Sequence, residues 1–360
     1  MRMELPPGRL RALPVQIIEI DSGMLLKRGV VETSVRGTGA VEAVRRLLGA
    51  ASGAGMPAAA LRDLFAPAEH ADVEALIEHL RRRGMLVTDS FDQGDESASD
   101  SPADVFYWHF GVARKEVDRT LADRRVVVVG LNGIARQLRA SLTSCGVTAV
   151  SLVDDPLLRN PELFDLDGLP RPDVWPPRSD RSGIIASNEI DPGGLDCLVA
   201  ISEFGATSIV ARWNEFCVLH KRPFLPVVLK DLVGSIGPLV IPGETACYEC
   251  ARMRQRTHQP DPYLRQAIEA ATGQGGAAGF LPPMSSMLGE MAALELVRFF
   301  CLDRSLSRLG TLIELSVLAR DMTPRPVLKL PRCPVCTPID QRPDLTPLEE
   351  PALAAMRGDR

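Results

Sequence analysis

Of the eight cysteines in this 360-residue chain, four fall in two C-x-x-C pairs, Cys247 with Cys250 and Cys333 with Cys336, separated by 82 intervening residues. A Cys-x-x-Cys turn aims two thiolates at one tetrahedral ion. Four thiolates leave no open coordination position, so the pattern points to a structural zinc ion rather than a catalytic one. Cysteines this sparse do not make a disulfide scaffold, and paired ones in a reducing compartment suggest metal. A redox dithiol is the alternative reading, opposed by the presence of two separate pairs and by the lack of βαβ context around either. Pro331, Arg332 and Pro334 favour a tight turn at the second pair. Cys145, Cys197, Cys217 and Cys301 stand singly in apolar surroundings and read as buried small hydrophobes.

A second place for chemistry is Gly130-Leu-Asn-Gly-Ile-Ala-Arg-Gln-Leu138, which follows an apolar strand and opens a helix. That is where a phosphate-binding turn belongs in a dinucleotide or ATP fold. Gly130 and Gly133 are in place, but Leu131, Asn132 and Ala135 interrupt the glycine run that close approach to phosphate requires. Asp154 and Asp155 end the next strand, where a carboxylate can hold a ribose hydroxyl. The competing reading is a tight strand-to-helix turn capped by Asn132, with no ligand.

Three short strands open the chain, Val15–Ile20, Met24–Lys27 and Val30–Val35. Helical patterns follow at Gly39–Leu48, Pro57–Phe65 and Glu69–Arg83. In the last, Val73, Leu76, Ile77 and Leu80 recur at helical spacing. Three strands then three helices within 88 residues is a winged-helix-like plan. Residues 89–104 hold six acidic and no basic side chains and read as a flexible linker.

From Val105 the pattern runs helix (to Ala122), strand (Arg125–Val129), helix (Ala135–Cys145), strand (Ala149–Val153), then a Pro/Arg/Asp-rich excursion to Arg181. Strand (Cys197–Ile201), helix (Thr207–His220) and strand (Phe224–Leu229) follow. Strands alternating with helices imply an α/β domain with a parallel, doubly wound, Rossmann-type sheet. Gly234–Gly243 reads as a short antiparallel strand pair, Ser285–Phe300 as a helix, Gly310–Leu315 as a strand. The expected organisation is a winged-helix-like domain over 1–88, linker 89–104, α/β domain 105–340 and a Pro-rich tail 341–360.

A net charge of −5 supplies no positive field to gather nucleic acid or an anionic membrane. Arg81-Arg-Arg83 is the one basic run suited to a DNA-reading helix, but residues 1–88 balance 12 basic against 10 acidic groups, so the run reads better as a helix C-cap. No stretch approaches the ~18 apolar residues of a membrane span, and residues 1–14 lack a signal-peptide core, so a cytoplasmic location is expected.

Gly243-Glu-Thr-Ala-Cys-Tyr-Glu-Cys250, Pro282-Pro283 opening an apolar helix, and Pro331-Arg-Cys-Pro-Val-Cys336 resemble the zinc-bearing half of ThiF/MoeB-like adenylating proteins. The first ~85 residues resemble the winged-helix recognition element of ribosomal-peptide biosynthesis, with Arg36-Gly-Thr-Gly39 leading into its first helix. Together they resemble the ThiF-like partner protein, or C-protein, of azoline-forming YcaO cyclodehydratases.

The resemblance implies that a precursor's leader peptide adds as a strand to Val30, Val31, Glu32, Thr33, Ser34 and Val35, against the helix bearing Val73, Leu76, Ile77 and Leu80. It also implies that ATP chemistry belongs to the YcaO-family partner, with a homodimer as one candidate assembly. Where active adenylating relatives carry a catalytic aspartate in a Cys-Thr-Asp-Asn strand, this chain has Ile201-Ser-Glu-Phe204, with Glu203 at that place. No Asn-Leu-x-Arg-Gln segment follows Asp154. Gly130, Asn132, Gly133, Asp154 and Glu203 are therefore expected to be vestigial nucleotide-site positions, with ATP not bound. The alternative is an enzyme that adenylates a peptide carboxylate.

Overall fold

The computed structural model describes residues 8–88, 101–175, 183–230, 232–257, 279–302, 309–316 and 319–337, with isolated residues between 261 and 268. Most of the expected linker (89–100) and the tail beyond 337 lie outside the described residues. The chain divides into two compact units, 1–120 and 121–360.

In the first unit the order is β1 (Arg9–Ala12), β2 (Gln16–Ile20), β3 (Gly23–Arg28), β4 (Val31–Arg36), α1 (Thr38–Ala50), β5 (Met56–Pro57), α2 (Ala58–Arg62), α3 (His70–Arg82), β6 (Leu86–Thr88) and α4 (Pro102–His109). Two small sheets form, β5-β1-β6 and β2-β3-β4. Met24 and Leu26 of β3, Val35 of β4, Val44 and Leu47 of α1, and Val73, Ile77 and Leu80 of α3 close into one core. The 3.6-residue spacing on α3 thus serves burial within the unit.

Helix α4 belongs to this unit. The Trp108 indole donates to the Gly84 carbonyl at 2.9 Å, and the Arg28 guanidinium lies over its ring at 5.1 Å. Trp108 covers Leu13 and Val87, which would otherwise stay exposed. The single helix expected over 105–122 is instead two, α4 and α5 (Arg114–Ala122). Gly111, at φ +75°, ends the first: its N–H goes to Trp108 O and the Val112 N–H to Tyr107 O, the paired bonds of a left-handed helix stop.

The second unit contains β7 (Arg125–Val129), α6 (Gly133–Ser144), β8 (Ala149–Val153), β9 (Gly183–Ile185), β10 (Cys197–Ser202), α7 (Thr207–Leu219), β11 (Phe224–Lys230), β12 (Val233–Ile236), α8 (Tyr248–Thr257), α9 (Pro282–Cys301), β13 (Thr311–Ser316) and β14 (Asp321–Pro326). One eight-stranded sheet runs β14-β13-β12-β11-β10-β7-β8-β9. From β9 to β11 it is parallel, as the alternating strands and helices imply. From β11 onward it is antiparallel, so the sheet is mixed rather than wholly parallel.

The strand pair expected within Gly234–Gly243 does not form. Here β12 inserts between β11 and β13, and the chain turns back only to bridge Phe224 with Val240. Val127, Val129, Leu198 and Ala200 pack with Val210, Ala211 and Cys217 of α7 on one face. By strand alternation Val126 and Val128 face the other way. The chain order leaves β7 in both directions, to β8 on one side and β10 on the other. A topological switch point therefore lies at the carboxyl ends of these two strands.

Removing the Trp108 ring opens a cavity over Leu13 and Val87 and strips the Gly84 carbonyl of its donor. Trp108→Ala should lower the stability of the N-terminal unit by about 3–5 kcal/mol, read as an earlier urea transition by circular dichroism. Trp108→Phe should lose less.

Candidate functional site

The two C-x-x-C pairs meet. Cys247 Sγ lies 3.8 Å from Cys250 Sγ and 3.5 Å from Cys333 Sγ, Cys250 Sγ lies 3.5 Å from Cys336 Sγ, and all four sulfurs fall within 4.8 Å of one another. Tetrahedral ligation with metal–sulfur bonds of about 2.3 Å separates sulfurs by roughly 3.8 Å, so the donor set and its spacing suit one metal ion and are compatible with structural zinc. Cys247, Cys250 and Cys333 are buried and Cys336 is partly so.

The first pair is not a free turn. Cys247 immediately precedes α8 and Cys250 sits in its first turn. The Tyr248 N–H is fixed by the Asn214 side-chain oxygen of α7 at 3.0 Å, and the Leu330 N–H points at Cys250 Sγ at 3.4 Å. Backbone N–H groups aimed at sulfur are the outer contacts that orient metal thiolates. Helix α8, rich in arginine and without an apolar stripe, was not legible in the sequence. Away from the cluster, burial pushes the Cys197 and Cys217 thiols well above the ordinary thiol range, in keeping with inert core positions. Cys145, raised first by burial and then by Glu290, and Cys301 are only partly buried.

At the switch point, Gly130 ends β7 and Asn132 caps α6. Its Oδ1 accepts from the Ala135 N–H at 3.0 Å, while its Nδ2 donates to the carbonyls of Leu158 and Ile201, each at 3.1 Å. This fully buried amide is used up holding β7, β10 and the segment after β8 together. Glu203, one residue past β10 and 1% exposed, crosses to the same helix end. Its Oε1 accepts from the Ile134 N–H at 3.1 Å and its Oε2 from the Asn160 Nδ2 at 2.8 Å. A Cβ on Gly133 would stand 2.7 Å from Glu203 Oε1, so glycine here permits the close approach of a carboxylate.

Asp154 pairs with Arg159 at 2.7 Å through Nε, a bond that raises Arg159 above its ordinary value, and Arg159 stacks on Phe164. Asp155 accepts from the Leu157 N–H and from the Trp213 indole. The five expected nucleotide positions thus gather at one place, with the side chains of Asn132, Asp154 and Glu203 already bonded to the protein.

In the N-terminal unit, β4 pairs only with β3 and has a free edge among the described residues. Val30 is not in the strand; it is 76% exposed in the two-residue loop Gly29-Val30. Arg28 opposite Val31 closes that loop, and Gly37 N–H bonds to Ser22 O. Antiparallel pairing alternates, so Val31, Thr33 and Val35 bond to β3, whereas Glu32 and Ser34 turn their backbone groups to the free edge. Thr33 and Val35 are buried. Val73, Ile77 and Leu80 line the unit's own core and not an open groove; only Leu76 of the four is partly exposed.

No family model matches the chain, and no curated protein matches it. Solved structures do. E. coli MccB, crystallised with AMPCPP and MccA, superposes with a TM-score of 0.64 at 19% identity, covering 91% of this chain and 99% of MccB. The microcin C7 biosynthetic enzyme MccB in complex with N-formylated MccA gives 0.63, also at 19% identity, over 91% of this chain and 99% of that one. The heterocyclase TruD gives 0.60 at 17% identity, over 92% of this chain but 43% of TruD. At these identities the likeness is one of fold. No helix among the described residues is long and apolar enough to cross a membrane.

Protein purified without chelator should carry about one equivalent of metal per chain by elemental analysis, since the cluster makes a single closed site. Because metal held this way stabilises folding directly, Cys250→Ser should lose the metal and accumulate as insoluble or early-melting protein.

Proposed function

We propose that this chain captures the leader of a ribosomally made precursor peptide on the free edge of β4 and presents the precursor's core Cys, Ser or Thr residues to a separate YcaO-family cyclodehydratase. On this reading the N-terminal unit is a winged-helix recognition element, and the α/β unit is a non-catalytic scaffold of the ThiF/MoeB kind held by structural zinc on Cys247, Cys250, Cys333 and Cys336. The partner uses ATP to form azolines. The observation that carries the proposal is the unpaired edge of β4. A strand left open in this way is a template for an added strand, with main-chain bonds giving affinity and side-chain pockets giving selection. The fold likeness supports it, since MccB has been crystallised with the peptide MccA and TruD is a heterocyclase.

A second reading, adenylation of a peptide carboxylate on this chain, draws on the same likeness, because MccB has also been crystallised with ATP. Glu203 weighs against it. The helix end that would receive phosphate already holds a carboxylate oxygen at 3.1 Å from the Ile134 amide, and a second negative charge there meets repulsion. Calorimetry with magnesium and ATP should show no micromolar binding. Such binding, or pyrophosphate exchange driven by a peptide, would favour adenylation.

The register of β4 determines the test of leader capture. Proline at Thr33 would remove a bond to β3, and a charge at Ile77 would enter the core, so neither separates binding from folding. Ser34→Pro removes an amide at the free edge and leaves the β3 ladder intact. Fluorescence anisotropy with the labelled leader of the cognate precursor should show at least tenfold weaker capture by Ser34→Pro, with circular dichroism unchanged. Undiminished capture by the folded variant would sink the β4 assignment.

A further inference from the structure

Leader capture and presentation make no use of Glu203, yet the fold places that acid where the sheet would otherwise receive a ligand. Three segments converge on it: the end of β10, the first turn of α6 and the stretch holding Asn160. The α6 amide at Ile134 is spent on Glu203 Oε1, while the Asn132 cap takes only Ala135. Asn160, itself buried, gives its Nδ2 to Oε2 and accepts the Glu162 N–H through its own Oδ1.

A fourth group lies beside the same spot. Ser285, in the first turn of α9, lies with its Oγ 3.6 Å from where a Gly133 Cβ would stand. The residue is 3% exposed, and its hydroxyl has no hydrogen-bond partner. A buried hydroxyl without a partner is costly, and here it lies near Gly133 at the amide end of a twelve-residue helix, the end that favours negative charge.

We infer that the α6 turn is a small-oxyanion binding site whose resident ligand is the chain's own Glu203 carboxylate. The donors at Ile134 and Asn160 hold one carboxylate-sized anion, with the unpartnered Ser285 hydroxyl close by, and the tether from β10 delivers it. The inference rests on the reading that ATP chemistry does not occur on this chain, and adds the reason: an internal anion excludes phosphate from the switch point while supplying the charge the helix end favours. Gly133 keeps the space in which the carboxylate sits.

Glu203→Ala removes a CH2–COO group, and acetate is that group as a free molecule. In thermal melts of the full chain, acetate should raise the melting temperature of Glu203→Ala by a few degrees in a saturable way, as a ligand specific to the folded state does. Acetamide, of the same shape but neutral, and chloride at matched ionic strength should have little effect. Wild type and Glu203→Gln, whose sites are filled, should not respond to acetate. Equal responses to acetate and acetamide, no response to either, or an acetate response as large in wild type or Glu203→Gln would overturn the inference. Should Glu203→Ala fail to fold, refolding from urea replaces the melt. Recovery in acetate but not acetamide supports the site, and equal recovery or none overturns it. Neither leader nor ATP enters these measurements, so they can fail while leader capture stands, and the reverse.

Discussion

Strands β7 and β10 run side by side and then part, and every polar group exposed in the gap between their ends must find a partner away from water. In most sheets of this topology a ligand completes the gap. Here Asn132 and Glu203 complete it from within. Asn132 binds the carbonyls of Ile201 and Leu158 and the Ala135 amide, and Glu203 binds the Ile134 amide and Asn160. Buried amides and carboxylates are tolerated only when so satisfied. The placement of α6, the end of β10 and the segment after β8 follow from that requirement, as each contributes a group the others need.

The four-cysteine cluster meets a related demand at the far end of the chain order. Residues 247–250 and 333–336 are distant in sequence, and Tyr248, Leu330 and Val335 beside the cysteines pack on the main core. Neighbouring thiols 3.5–3.8 Å apart, all four within 4.8 Å, offer a cation enough ligands to close that long loop when one is bound. The entropic cost of closure grows only slowly with loop length, so a single ion suffices. Asn214 ties the arrangement back to the main core through the Tyr248 amide.

In the N-terminal unit the same accounting leaves something over. The β2-β3-β4 sheet has three strands, and β4 ends it with backbone groups of Glu32 and Ser34 turned outward, flanked by exposed charged and polar side chains. Its inward residues, Thr33 and Val35, and the α3 residues Val73, Ile77 and Leu80 are consumed by the core. What the unit leaves open among the described residues is therefore a strand edge and not an apolar trough on α3.

The sequence by itself determined the features that local chemistry dictates. The C-x-x-C spacing marked the four thiols, the Arg125-Val-Val-Val-Val129 run marked a strand buried on both faces, and the period of Val73, Ile77 and Leu80 marked an amphipathic helix. Each depends on residue type and short-range spacing, which burial and ligand geometry read directly. The resemblance to adenylating proteins also singled out Glu203, at the place where those proteins carry an aspartate. Tertiary structure alone decided what those groups do. Whether α3 faces a groove or a core depends on which elements cover it, and whether Thr33 or Ser34 offers its amide to a partner depends on the register with β3. Short strands such as β5 and β9, and the proline-bearing edge strand β14, carry too little pattern to be seen before their neighbours are in place. That Glu203 reaches the α6 turn follows from bringing together residues 70 positions apart, a distance over which only the packed sheet sets geometry.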